Sequence, residues 1–255
     1  MVTIVADLGN SRLKWGRLDR DGSLRDVIAV AVDDPARWAA VWEAWQLGSL
    51  PSRWSVSSVN PPLAERLAAF LAERGVASVH WFRSAADVPV RHDLEAPETA
   101  GADRAFAVLG ALAVRNAGGP GIVVSCGTAV TVERIAASGV WLGGAIAAGL
   151  GLTARALHML TAQLPLVEPG ATPAAWGRST RPALEAGVYW GVVGAIRELV
   201  SRQAAGVEPS PWRVWTGGDA ARLAPAVDGE DASVVPDLVL HGLAGLERQS
   251  GRRER

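Results

Sequence analysis

A single cysteine, Cys126, stands in the 255-residue chain, so no intramolecular disulfide can form. A lone thiol fits a reducing compartment, and a cytoplasmic location is expected. Long apolar runs are missing as well. The apolar stretch Val2 to Ala6 of the N-terminal MVTIVADLGNSRLKW is far too short for a signal peptide or a membrane span. No later run of about 18 apolar residues escapes interruption by Gly, Thr or charge, so no membrane partner is expected. An excess of positive charge is also absent. The chain has 25 Lys and Arg against 26 Asp and Glu, a formal net charge of −1, and so lacks the basic footprint that nucleic-acid binding needs. Histidines are few and scattered: His80, His92, His158 and His241 show no metal-ligand spacing and read as structural. Phenylalanine and tyrosine are scarce, at three and one, yet there are 11 tryptophans. Trp38, Trp42 and Trp45 recur at i, i+4 and i+7, one stripe of a helix, which reads as core or interface packing before it reads as a ligand-stacking surface.

Hydrophobic residues make up 49% of the chain and charged residues 20%, which supports a sizeable core and argues against disorder. The length suits one large domain or two lobes of about 120 residues each. Residues 2–7 read as a buried strand, followed by a tight Gly-Asn turn and a second strand from Leu13 to Leu18. Asp21-Gly22 marks a hairpin turn. Helices are expected over 34–46 and 61–74, the latter started by Asn60-Pro61-Pro62, with short strands at Trp54 to Val59 and Ser78 to Phe82. This alternation implies an α/β fold. A loop with two prolines, Val88 to Ala100, leads into an apolar helix from Ala102 to Asn116. Ala117-Gly118-Gly119-Pro120 then breaks the chain and marks a boundary between lobes 1–117 and 118–255. Strands follow at Ile122 to Ser125 and Ala129 to Ile135. The glycine-rich run GGAIAAGLGL is expected to open a long helix that includes Leu157 and Leu160. Residues 165–177 read as a loop, 180–203 as a helix, and Val214 to Thr216 as a strand ending in Gly217-Gly218.

The two halves begin alike. VADLGNSRLKWGRLD and VVSCGTAVTVERIAASG each read as a buried strand, a Gly-(Asn/Thr) turn, a second strand and a hairpin. Gly9 aligns with Gly127 and Asn10 with Thr128, which suggests a duplicated α/β lobe. A glycine between two strands lets backbone approach a phosphate without a Cβ in the way. Asn10, Ser11 and Thr128 can donate to phosphate oxygens, Lys14 can reach one from the second strand, and Asp7 can hold Mg²⁺ through its waters. Thr216-Gly217-Gly218-Asp219 supplies a third turn of the phosphate-binding or adenine-binding type. Cys126 reads as a small buried residue, since no base is visible to activate it.

These residues resemble those of the type III pantothenate kinases, within the actin, sugar-kinase and Hsp70 ATPase superfamily. Asp7-x-Gly9-Asn10-Ser11 with Lys14 resembles the family's first phosphate motif, and Gly101-Ala102-Asp103-Arg104 after Pro97-Glu98 its most specific motif. Gly127-Thr128-Ala129 with Gly143-Gly144-x-Ile146 resembles the second phosphate motif. Gly177 to Thr180 with Ala186-Gly187 and Gly191 resembles a later substrate segment, and Thr216-Gly217-Gly218 with Leu238-x-Leu240-x-Gly242-Leu243 completes the order. The resemblance covers essentially the whole chain. It implies an α/β fold of two duplicated ribonuclease-H-like lobes with an ATP cleft between them. It further implies phosphorylation of pantothenate to 4'-phosphopantothenate, the first step of coenzyme A synthesis, with ATP, Mg²⁺ and a monovalent cation such as K⁺ or NH₄⁺. A homodimer is implied too. Carried over, Asp103 is the catalytic base. Gly101, Ala102, Arg104 and Leu94 line the pantothenate site, with Thr180 of the partner subunit. Asp7, Gly9, Asn10, Ser11, Lys14, Gly127, Thr128, Gly217 and Gly218 hold the nucleotide, with Asp7 also on the metal.

The chain departs from the family pattern at a few positions. Ser125 stands where an Asp commonly ligates the monovalent cation, Leu94 where an aromatic residue lines the pocket, Ala148 where a Pro is usual, and Glu133 where an Asp is usual. A carboxylate 4 Å from a cation is worth roughly 4 kcal/mol at an effective dielectric of 20, before desolvation. Two alternatives therefore stay open on sequence grounds: a non-catalytic binding or regulatory relative on the same fold, favoured by Ser125, and a kinase for another small hydroxy acid, favoured by Leu94.

Overall fold

The computed structural model describes residues 2–115, 118–168 and 170–253. Asn116 and Ala117, read above as a helix end and the start of a chain break, lie outside them. The chain divides into two compact units: Met1–Val90, Leu94–Asn116 and Leu238–Arg255 form the first, and Arg91–Asp93 and Ala117–Asp237 the second.

The first unit is built on a mixed five-stranded sheet. Its strands are β1 (Val2–Leu8), β2 (Arg12–Leu18), β3 (Leu24–Ala31), β4 (Ser52–Ser58) and β5 (Ser78–Phe82), in the order β3-β2-β1-β4-β5. β1, β2 and β3 are antiparallel neighbours, whereas β4 and β5 run parallel to β1. The parallel steps need crossovers, supplied by α1 (Pro35–Ala44) and α2 (Pro61–Ala72). Both helices start where the sequence says they should: Asp34 and Asn60 cap them through side-chain oxygens, and prolines occupy the first turns.

α1 and α2 cover one sheet face. There Ile4, Ala6, Leu8, Leu13, Trp15, Trp54 and Val56 meet Trp38, Val41, Trp42, Leu67, Phe70 and Leu71 in one apolar cluster. The tryptophan stripe is core packing. Trp15 meets Trp54 edge-on at 5.1 Å, and Trp38 meets Phe70 edge-on at 5.7 Å. Such pairs contribute about 0.5–1.5 kcal/mol beyond burial. The indole N–H of Trp38 is satisfied by Ala31 O and that of Trp54 by Ser52 Oγ.

The other face of this sheet is covered by α3 (Ala102–Arg115) and α7 (Leu238–Arg253). Here the sequence boundary is corrected, because α7 was placed with the second lobe and packs with the first unit. Two interactions account for it. Glu247 reaches the buried face of β4, accepting from Ser55 Oγ at 2.6 Å and pairing with Arg53 at 3.0 Å. Gly242 also lies against α3, where a Cβ would stand 2.3 Å from Phe106 O, so the helix backbones meet directly.

The second unit repeats the plan with four strands: β6 (Gly121–Cys126), β7 (Ala129–Ile135), β8 (Trp141–Ala148) and β9 (Trp212–Thr216), in the order β8-β7-β6-β9. This is the β3-β2-β1-β4 order of the first sheet. α4 (Leu150–Met159), α5 (Thr180–Ala204) and α6 (Ala220–Asp228) pack on one face, against Ile122, Val124, Cys126, Val130, Val132 and Trp215. The glycine-rich run does not open a helix. Trp141–Ala148 is a strand paired antiparallel to β7, with burial alternating along its length, and the helix begins only after Gly149. Arg91–Asp93 joins this unit through backbone bonds on both sides of Trp141.

Candidate active site

The expected site residues fall into two groups in the first unit. The first sits at the β1–β2 turn. Gly9 N donates to Arg12 O at 3.1 Å and closes the turn, with Asn10 and Ser11 exposed at its tip. Asp7 and Lys14 are directly opposite each other in the β1–β2 register, and Asp7 is also level with Ser57 on β4. Register partners share a sheet face, so a carboxylate, an ammonium and a hydroxyl stand in one row across three strands. This is the face covered by α3 and α7. Asn60, which sequence reading used only as a helix start, donates from Nδ2 to Asn10 Oδ1 at 3.1 Å.

The second group is the start of α3. Asp103 Oδ1 accepts from Arg104 N at 2.8 Å, folding the carboxylate back over the helix N-terminus, where the positive end of the helix dipole favours negative charge. Gly101 leaves the room for this: a Cβ there would lie 2.4 Å from Asp103 Oδ1 and 3.0 Å from Val59 Cγ1. Val59 follows β4, and its N–H donates to Leu8 O at 3.4 Å. The Gly101-Ala102-Asp103-Arg104 segment therefore adjoins the same end of the sheet as the Asp7 turn. Ala102 is fully buried beneath it, and Leu94 is half-buried in the preceding loop.

In the second unit, Gly127 N donates to Ala129 O at 3.0 Å, so this turn is one residue tighter than its counterpart. The tightening shifts the register. Ser125 is level with Thr131 on β7 and Thr216 on β9, where Asp7 has Lys14 and Ser57. Thr131 Oγ1 is buried without a hydrogen-bond partner. Gly217 adopts φ +95° and packs where a Cβ would be 2.3 Å from Cys126 O, so only glycine fits. Two helices start at this end of the sheet: Gly149, the cap of α4, donates from N to Thr128 O, and Asp219, the cap of α6, donates from N to Cys126 O. Two helix N-termini beside glycine turns suit an anion. Burial, with Asp219 adding to it, pushes the Cys126 thiol up to about 12, so it is no nucleophile at neutral pH. Thr180 is exposed at the first turn of α5, apart from these turns in the chain. Among the described residues, no cluster of three or more His, Cys, Asp or Glu could hold a metal ion. Glu133 is buried, and its Oε2 accepts the indole N–H of Trp141 at 3.0 Å, a structural use.

Comparison with known proteins agrees with this geometry. The ethanolamine utilization protein EutJ from Carboxydothermus hydrogenoformans aligns over 96% of this chain and 89% of its own, with a TM-score of 0.55 at 13% identity. The activator of the 2-hydroxyisocaproyl-CoA dehydratase from Clostridium difficile aligns over 100% and 98%, with a TM-score of 0.50 at 10% identity. The duplicated sheets and their strand–turn–strand motifs define the ribonuclease-H-like fold of the actin, sugar-kinase and Hsp70 ATPases. The sequence narrows the class. A family model described as type III pantothenate kinase matches residues 3–202. Type III pantothenate kinases from Alkalilimnicola ehrlichii and Thiobacillus denitrificans are each 36% identical, over 97% and 98% of this chain and 98% of their own lengths. The chain belongs to the type III pantothenate kinase family. It is a phosphotransferase that phosphorylates pantothenate in coenzyme A biosynthesis, and membership of this kinase family implies ATP as donor. No helix among the described residues is long and apolar enough to cross a membrane.

Proposed function

We propose that Asp103 is the general base of this reaction, accepting the proton of the pantothenate hydroxyl as the γ-phosphoryl group transfers. The observation that carries the assignment is its place: a carboxylate held over the start of α3, beside the sheet end that bears the Asp7 turn. Phosphoryl transfer needs positioning and charge stabilisation more than a strong base, and this arrangement offers both. Arg104 pairs with the pantothenate carboxylate, for which a planar guanidinium is well suited. Gly101, Ala102 and Leu94 shape the rest of that site. The turn at Gly9-Asn10-Ser11 binds ATP phosphates, with Lys14 on a phosphate and Asp7 on Mg²⁺ through water, and the glycine turns at Gly127-Thr128 and Gly217-Gly218 are the nucleotide-binding elements of the second unit. The enzyme works in the cytoplasm. ATP turnover by the purified protein with and without pantothenate tests the whole reading: turnover that ignores pantothenate would remove it.

The position implied for a monovalent cation is one of the points at which this chain departs from the family pattern. Ser125, Thr131 and Thr216 offer three neutral oxygens in register and no carboxylate. Phosphorylation is therefore expected to rise less than twofold or so between zero and saturating K⁺ at constant ionic strength, since the missing carboxylate would contribute roughly 4 kcal/mol of attraction before desolvation. Ser125→Asp is expected to introduce steep K⁺ activation while Mg²⁺ dependence persists. Steep activation of the unaltered protein would mean that other oxygens hold the cation. No activity until Ser125→Asp is made would favour the non-catalytic reading, for which Ser125 is the one supporting feature.

A homodimer is also proposed, with Thr180 of the partner subunit completing the pantothenate site. α5 is 25 residues long, about 37 Å at 1.5 Å per residue, and one face of it is open. Gly187, Gly191 and Gly194 have nothing within 4 Å of the place where a Cβ would stand, and Trp190 lies exposed between them. Met159, Leu160 and Trp176 are each at least 75% exposed in the same unit. Light scattering should give twice the chain mass of 26.6 kDa. Gly191→Arg should give the single mass and lose most pantothenate phosphorylation; a fully active monomer would rule out the shared site.

A further inference from the structure

The amide of Asn10 is oriented by a residue outside every phosphate or substrate motif described above. Asn60 caps α2: its Oδ1 accepts from Leu63 N at 3.2 Å. A backbone N–H only donates, so the atom of Asn60 that meets it is the oxygen, and the Asn60 NH₂ group is the end left to face Asn10. It donates to Asn10 Oδ1 at 3.1 Å. The same logic passes on. An amide NH₂ offers no lone pair, so Asn10 turns its oxygen to Asn60 and its own NH₂ group away from it. One backbone N–H of α2 thus sets two side-chain amides in series. Asn10 is exposed at the tip of the β1–β2 turn, so nothing in the turn itself would choose between its two ends.

We propose that Asn60 is a positioning residue for nucleotide binding: it holds Asn10 with its NH₂ group available, so that the turn meets phosphate oxygens with a donor and never with a carbonyl. The inference rests on the reading that the β1–β2 turn binds ATP phosphates. Its physical content is a removed alternative. A free Asn10 amide would present either end, and the oxygen-outward state would set a partial negative charge against a phosphate.

Two substitutions separate the orienting bond from the helix cap, because Ser and Asp both cap helices well. Asn60→Ser is too short to reach Asn10 and stays neutral. Asn60→Asp keeps the reach but meets Asn10 with an acceptor, which favours the reversed amide. The probe is Mg²⁺ with the non-hydrolysable analogue AMPPNP, followed by calorimetry at fixed ionic strength, with and without Asn10→Ala. Asn60→Ser is expected to weaken binding about two- to threefold, because a freed amide still presents its NH₂ group in about half of its states, and Asn60→Asp more, because it favours the reversed amide. In the Asn10→Ala background, Asn60→Ser should have no further effect. In steady-state kinetics KM for ATP should rise and KM for pantothenate stay unchanged, with melting temperatures near that of the unaltered protein. Unchanged AMPPNP affinity in Asn60→Ser, or an equal loss with and without Asn10, would overturn the positioning role while leaving the turn as a phosphate site. An unaltered protein that binds no AMPPNP would overturn the reading of the turn itself, and the inference with it.

Discussion

Asp103→Asn is expected to lower kcat by about 10²–10⁴-fold, the usual contribution of a positioned general base. The substitution keeps the shape of the side chain. Its amide oxygen can still accept from Arg104 N, as the carboxylate does at 2.8 Å, so the start of α3 keeps its local bond. What is lost is the ability to take a proton from the pantothenate hydroxyl. KM for pantothenate should change little, because Arg104 and the rest of the segment remain, and the melting temperature should move by only a degree or two. Steady-state kinetics and a thermal melt on the same preparation check both halves. Wild-type kcat in the variant would assign the proton to another acceptor. A large drop in melting temperature would instead assign Asp103 a structural role at the helix start.

Gly242→Leu is expected to destabilise the protein by about 3 kcal/mol, at the upper end of ordinary overpacking. For a chain of this size that corresponds to a fall in melting temperature of roughly 6–12 °C. A Cβ at Gly242 would lie 2.3 Å from Phe106 O and 3.3 Å from Gly110 N, and backbone cannot step aside as a flexible side chain can. α7 would have to lift from α3, taking Glu247 from its bonds to Ser55 and Arg53. Because α3 carries Asp103 at its start, turnover should fall beyond what the lost stability explains at assay temperature. Gly245→Leu, one turn on, is the control: the nearest atom to its Cβ position is 3.9 Å away, at the tip of Arg248. Equal melting temperatures for the two variants would show that α3 and α7 do not meet at Gly242.

Much of the fold was legible because its local chemistry is strong. Asp34 and Asn60 before prolines, alternating apolar strands and glycine turns each act over a few residues, and those elements stand where the sequence puts them. The glycine-rich run after β7 misled because glycine and alanine carry little periodicity; whether GGAIAA becomes helix or strand was settled by the free edge of β7 beside it. The C-terminal helix misled for a related reason. Nothing local in Leu238–Arg253 says which sheet it covers; Glu247 finding Ser55 and Gly242 finding Phe106 decide that across more than a hundred residues.

The site divides in the same way. The sequence by itself determined the residue types and their order: an Asp-x-Gly-Asn-Ser turn, a Gly-Ala-Asp-Arg segment, and a second glycine turn in the second half. It also determined the family, because that order spans nearly the whole chain. Only the tertiary structure decided what stands opposite what. Aligned by sequence, Ser125 takes the place of Asp7, but the second turn is one residue tighter, so Thr131 and not Val132 stands level with it as Lys14 does with Asp7. Side-chain direction alternates at every residue of a strand, so a one-residue change in a turn exchanges the faces of everything after it, and that cannot be read until both strands are paired. The bond from Asn60 to Asn10 is of the same kind. Their separation of 50 residues hides it in the sequence, and the parallel pairing of β4 with β1 brings them together.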